Sequence, residues 1–211
     1  MGWFKIKDIE FGFDVENNEA CIRTVSIRKE GLKEIIIPES VQDNGSIYPV
    51  TGIRGRKFLK TFDKREKVTD KRKKNYGEYV TVGTYQNYIE YNVLDKWDNE
   101  QIEKVVLPKT LKKIGDYTFK RFEKMSKINI PEGVESIGEE AFYGCKSLKS
   151  ITIPSTVKEI GKYCFYSTPE MVIKVKNKPG SVMFGDYSVE SDDRVEYVGE
   201  SKSFFAKLFK K

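Results

Sequence analysis

These 211 residues contain no histidine. Its absence removes the side chain that most often acts as general base near neutral pH, and the commonest protein ligand of metals. Cysteine is scarce too. Cys21, Cys145 and Cys164 form no CxxC pair and no metal-ligand spacing. An odd number of thiols argues for a reducing compartment, and service as small buried apolar groups accounts for all three. Hydrophobic residues are only 38% of the chain, and no apolar run reaches the ~18 residues of a membrane-spanning helix. The opening MGWFKIKDIEFGF is interrupted by Lys5, Lys7, Asp8 and Glu10, so it lacks the apolar h-region of a signal peptide. As it stands the chain reads as cytoplasmic; with a leader removed it would read as secreted or cell-surface. No nucleophile elbow, phosphate loop or dinucleotide fingerprint occurs. Adjacent carboxylates such as Glu139–Glu140 and Asp192–Asp193 read as solvated groups. The sequence therefore points to a protein that is not an enzyme and uses no cofactor or metal.

What the chain does have is a repeat. Pro108, Pro131 and Pro154 are spaced 23 residues apart, and so are Ile114, Ile137 and Ile160. Gly115, Gly138 and Gly161 keep the same period, as do Phe119, Phe142 and Phe165. Before each proline stands a short alternating stretch: VVLP, INIP and ITIP. Val105, Ile128 and Ile151 face one way, and Val106, Asn129 and Thr152 the other. Proline ends each strand because it has no N–H to give a ladder. The glycine is expected to take a positive φ at a bend, and the phenylalanine to close the coil. One such coil cannot bury its own apolar side, whereas stacked copies cover one another. A looser copy, LKEIIIPESV, starts at Leu32; there Arg54 stands where the glycine is expected and Phe58 where the closing aromatic is. A degraded copy follows Phe165, with Met171, Ile173 and Val175.

The phrase IPEGVESIGEEAFYGCKSLKSITIP from Ile130 resembles the BspA-type (Treponema-type) leucine-rich repeat at nearly every fixed position, Cys145 included. GSIYPVTGI from Gly45 is similar to that family's opening repeat, and FGFDVENNEACI to the hairpin that often precedes it. The resemblance implies a β-rich leucine-rich-repeat solenoid, a right-handed superhelix. Short parallel strands would line one face, with turns and short helical segments on the other. It also implies a scaffold of bacterial type, often secreted or surface-attached, that binds proteins. On this reading one domain spans 1–200. It comprises a cap hairpin (4–31), a first repeat (32–62), an inserted hairpin (63–101), regular repeats (102–170) and a C-terminal cap (171–200). A basic amphipathic tail (201–211) follows.

Two regions are candidate contact surfaces. The first is the outward strand column: Glu34 and Ile36, Lys104 and Val106, Lys127 and Asn129, Ser150 and Thr152. Lys104 and Lys127 would make it partly basic and suit an acidic or phosphorylated protein partner. The second is the insertion, where Lys71, Arg72, Lys73 and Lys74 precede a tyrosine-rich stretch with Tyr79, Tyr85 and Tyr88. YVTVGTYQNYIEY reads as two strands around Gly83. Its tyrosines fit protein contact. The alternative is a nucleic-acid or anionic-surface binder that uses the basic residues of 63–76 and the Lys-rich tail, helped by a net charge of +6. In the tail, Phe204, Phe205, Leu208 and Phe209 fall on one side of a helix. Membrane contact, docking on the repeats or a partner, and a loose end all remain open readings.

Overall fold

The structure is a computed structural model describing residues 2–27, 30–67, 79–91 and 101–198; at 56–67, 79–91 and Asp193 it describes the backbone. The chain divides into two units, Met1–Arg56 with Tyr91–Lys211, and Lys57–Glu90.

The first unit opens with three antiparallel strands, β1 (Gly2–Ile6), β2 (Ile9–Glu16) and β3 (Glu19–Ile27). The sequence suggests a two-stranded cap; β1 adds a third strand. Asn17 and Asn18, with φ of 53° and 61°, make the two-residue turn between β2 and β3. Asparagine tolerates this left-handed pair, which matches the twist of a hairpin. Next come β4 (Glu34–Ile36), β5 (Ser40–Asp43) and β6 (Ser46–Ile53).

The second unit is formed by two strands, β7 (Arg56–Lys67) and β8 (Tyr79–Tyr91), paired only with each other among the described residues. One expectation is corrected here. The stretch YVTVGTYQNYIEY is one strand running through Gly83, because its partner is β7 and not its own second half. Phe58 lies within β7, where the backbone alone is described.

The repeats then supply two strands per coil: β9 (Lys104–Val106) and β10 (Lys113–Ile114), β11 (Lys127–Asn129) and β12 (Ser136–Ile137), β13 (Ser150–Ile153) and β14 (Glu159–Ile160). β15 (Val172–Val175), β16 (Met183–Phe184) and β17 (Val195–Tyr197) complete the stack. Stacking makes two parallel walls. On one wall Ile53, Ile114, Ile137, Ile160 and Phe184 are successive register partners, and β3 joins this wall beside β6. On the other, β4, β9 and β11 form one three-stranded sheet, and β13, β15 and β17 a second. Val105 and Ile128 are register partners as the repeat requires, but no ladder joins Ile128 to Ile151. Among the described residues the only helical element is a 3-10 turn, Asp192–Arg194. Where helical segments were expected across from the longer strands, the described residues show turns and the two-residue strands β10, β12, β14 and β16.

Between the walls lies one apolar core. Ile114, Ile137, Ile160, Val134, Val157 and Leu148 are essentially inaccessible. Phe119, Phe142 and Phe165 stack at centroid distances of 5.3 and 5.6 Å. Each ring buries on the order of 200 Å² of apolar surface, so this column is a large share of the hydrophobic stabilisation.

The glycines work differently from the expectation. Gly115, Gly138 and Gly161 do not have positive φ. Their amides donate to Ile53, Ile114 and Ile137 carbonyls of the preceding coil, at 2.7–2.8 Å. A Cβ at Gly138 would lie 2.5 Å from the Asp116 nitrogen, and one at Gly161 2.4 Å from the Glu139 nitrogen. Glycine is required because backbone meets backbone there. Positive φ falls instead at Tyr117, Glu140, Tyr163 and Tyr187, two residues after each glycine. Arg54 fits where later coils need glycine because its amide bonds to Ile22 of the hairpin strand β3, not to another coil.

Candidate functional site

The outward face of the split wall carries the residues that the alternating strands push away from the core. Glu34, Lys104 and Lys127 are mutual register partners, and so are Ile36, Val106 and Asn129. Beyond the break, Ser150 pairs in register with Val172, and Thr152 with Lys174 and Glu196. The structure thus brings the eight predicted strand residues onto one wall, in two groups. Ile36 is 57% exposed, which is high for an isoleucine within a strand, and it lies beside half-buried Val106. Lys127, Asn129 and Ser150 are exposed.

The charge pattern differs from the sequence expectation. Lys104 Nζ lies 2.6 Å from Glu34 Oε1, so its charge is balanced across the strand pair. Lys127 is left as the cation of that column, and the face is less basic than spacing alone suggests. It reads as a small apolar spot, Ile36 and Val106, bordered by a hydrogen-bonding strip.

Of the other predicted contact residues, Tyr79, Tyr85 and Tyr88 lie in β8, whose backbone alone is described. Lys73 and Lys74 lie outside the described residues, as does the tail from 199 onward.

Sequence reasoning missed a row of tyrosines along the turns. Tyr143 stacks on Tyr166 with centroids 6.1 Å apart, Tyr166 meets Tyr163 edge-on at 5.7 Å, and Tyr163 stacks on Tyr187 at 5.4 Å. At the near end Lys120 Nζ sits 5.3 Å from the ring centres of both Tyr117 and Tyr143, and 2.6 Å from Glu140. The signal was present: Tyr143 and Tyr166 are 23 residues apart, one period. Because the rings stack on one another, the row shows mainly edges and hydroxyls, and it stabilises neighbouring turns.

A groove of about 360 Å³ lies beside β3, β6 and β10, lined by residues that include Cys21, Arg54, Lys112 and Glu19. Glu19 holds Lys112 and accepts from Thr51 Oγ1 at 2.9 Å, and these bonds keep its carboxyl below the usual carboxylate range. Burial pushes the Cys21 thiol up, and pushes Cys145 and Cys164 much further up. None of the three is poised as a thiolate. Among the described residues no cluster of three or more His, Cys, Asp or Glu side chains could hold a metal ion.

The architecture and its 23-residue period can be set against known proteins. The pattern of the BspA type leucine rich repeat region matches residues 89–196 in 6 copies, more than half of the chain. The chain belongs to the BspA-type leucine-rich repeat family. Its first coil, built from β4 and β6, lies outside that match and is joined to it by strand pairing with β9 and β10. A leucine-rich repeat protein from Bacteroides ovatus ATCC 8483 aligns over 92% of this chain and 40% of its own length, at 22% identity and a TM-score of 0.58. The pneumococcal vaccine antigen PcpA aligns over 89% and 41%, at 17% identity and 0.52. The leucine-rich repeat protein of T. pallidum aligns over 87% and 86%, at 16% identity and 0.50. At these identities the likeness establishes the fold. This BspA-type chain spans about two fifths of the first two structures. Comparison with curated proteins finds no match. Among the described residues no helix is long and apolar enough to cross a membrane.

Proposed function

We propose that this BspA-type repeat chain is a non-enzymatic protein-binding scaffold. Its contact surface is the outward strand face centred on Ile36, Val106, Lys127 and Asn129. Glu34, Lys104, Ser150 and Thr152 form the border. The observation that carries this reading is the exposed Ile36 beside Val106 on a wall of strands in register. An exposed apolar side chain ringed by polar groups is the usual anchor of a protein contact. The partner presents an apolar group to Ile36 and an acceptor, acidic or neutral, to Lys127 and Asn129. The inserted hairpin, through Tyr79, Tyr85, Tyr88, Lys73 and Lys74, supplies a second contact.

The test begins with affinity capture from the source organism and continues with a binding measurement on the captured protein. An Ile36→Asp/Lys127→Glu chain should bind at least about tenfold more weakly, a loss of ~1.4 kcal/mol. A chain lacking 57–90 should lose affinity by a smaller factor. If both variants bind as the parent does, the face is not the site. If the bound species is nucleic acid and affinity falls steeply as salt rises, the protein-scaffold reading fails.

A further inference from the structure

The repeat departs from its own rule at one place on the continuous wall. The register column Gly52, Lys113, Ser136, Glu159 and Met183 carries a side chain in every coil except the first. Two residues on, Arg54, Gly115, Gly138, Gly161 and Gly185 show the reverse: glycine in every coil except the first, which has arginine. The two exchanges adjoin, and both residues line the groove beside β3, β6 and β10. Gly52 is a bare stretch of its floor, where an added Cβ would lie 3.1 Å from Cys21 Sγ. Arg54 is carried across the next coil because Gly115 makes room for it; a Cβ at Gly115 would lie 2.4 Å from Arg54 Cβ.

The charges of the groove do not all cancel. Arg23 lies 3.8 Å from Asp14, and Lys112 is held by Glu19. The side chains of Arg54 and Lys113 are exposed and have no hydrogen-bond or ion-pair partner among the described residues. They act on one spot. Burial pushes the Cys21 thiol up, Arg54 and Lys113 pull against that rise, and Asp14 adds to it, so both cations lie close to the sulfur. Glu16 lines the groove from β2, on the far side of β3.

We propose that this groove binds a phosphate monoester, with the dianion held between Arg54 and Lys113 above Gly52. A guanidinium fork takes two phosphate oxygens and an ammonium a third. Glycine at 52 lets the oxyanion approach the strand, where later coils carry a side chain. A volume of about 360 Å³ is within the range of small-molecule sites. Glu16 and the acids of the two ion pairs disfavour a second phosphate, so a polyanion fits less well than a monoester. The site lies on the wall opposite Ile36 and stands whether or not that face binds protein.

Cys21 reports on this groove in the full chain, because Cys145 and Cys164 are inaccessible. Its alkylation by iodoacetate, an anion, is compared with that by neutral iodoacetamide at one pH; the ratio of rates cancels the ionisation of the thiol. Arg54→Gln/Lys113→Gln should lower that ratio by at least about threefold. Both side chains are exposed, so an unchanged urea midpoint is expected for the variant. Inorganic phosphate should slow both reagents in the parent and neither in the variant. Titration with phosphate, followed by NMR at the Gly52 and Lys113 amides, should give an affinity about tenfold or more weaker in the variant. Glucose 6-phosphate and a phosphoserine peptide then separate the two sources of the group, and the tighter binder identifies the source. Phosphate that neither protects Cys21 nor shifts these amides would overturn the proposal. So would acetate binding as tightly as phosphate, or an oligonucleotide protecting Cys21 better than either monoester.

Discussion

On the wall built from β6, β10, β12, β14 and β16, every coil is bonded to the next; on the opposite wall the ladder stops between Asn129 and Ser150. Both walls hang from the same 23-residue period and bury the same residue types. Their difference lies in what the outer side must do. The continuous wall leads into the glycines, where backbones approach so closely that no Cβ fits. The split wall is held by its inward Ile and Val and, on its outer side, by the Glu34–Lys104 pair. Stability should therefore be concentrated on the first wall and the core, leaving the second face free to vary and to bind.

Substitutions can sharpen or break that contrast. The largest effect is expected for Phe142→Ala, which empties the middle of the Phe119–Phe142–Phe165 column. Urea unfolding should show a loss of ~3–5 kcal/mol. Next comes Gly161→Ala, expected to cost about 2–3 kcal/mol because a methyl must displace the backbone at Glu139. Its control is Gly180→Ala. Gly180 has φ of +80° with nothing within 4 Å of an added Cβ, so only the left-handed conformation is penalised, at about 1 kcal/mol. On the other wall, Ile36→Asp and Lys127→Glu should each change unfolding free energy by no more than about 0.5 kcal/mol. A larger loss there would mean that the face is structural. The smallest effect concerns acid. The Lys109 and Thr110 amides donate to Glu39 at 3.0 and 3.3 Å, and hold its carboxyl below its ordinary value of 4.5. A group depressed on folding contributes stability above its unfolded pKa, and loses that contribution as pH falls through its folded value. Glu39→Gln should therefore slightly lower stability at neutral pH, and its difference from the parent should shrink away as pH falls below about 4.5.

Much of the fold was legible because the period places like residues at like positions. The Ile columns, the proline strand ends and the phenylalanine stack all follow from it. What the period could not convey is distance between backbones. Glycine at 115, 138 and 161 is compatible with either a left-handed bend or a close approach, and only the neighbouring coil decides. The pairing of β7 was hidden for a related reason. That strand pairs with β8 across a connection that carries no hairpin signature, so local turn chemistry gave no warning. The site was less legible than the fold. Strand alternation identified which residues point outward, but not that Glu34 would balance Lys104, because those residues are 70 apart in sequence and meet only through stacking. The tyrosine row was legible at one period only for Tyr143 and Tyr166; Tyr163 and Tyr187 are 24 residues apart and meet only through stacking.

The most direct test of the stacking itself is native-state hydrogen exchange at Gly138 and Gly161. Their amides bond to the Ile114 and Ile137 carbonyls of the preceding coil at 2.8 Å. Both are expected to exchange only through global unfolding, with the same free energy that urea unfolding gives. If they exchange as fast as the amides of β17, the coils do not hold one another in the way described.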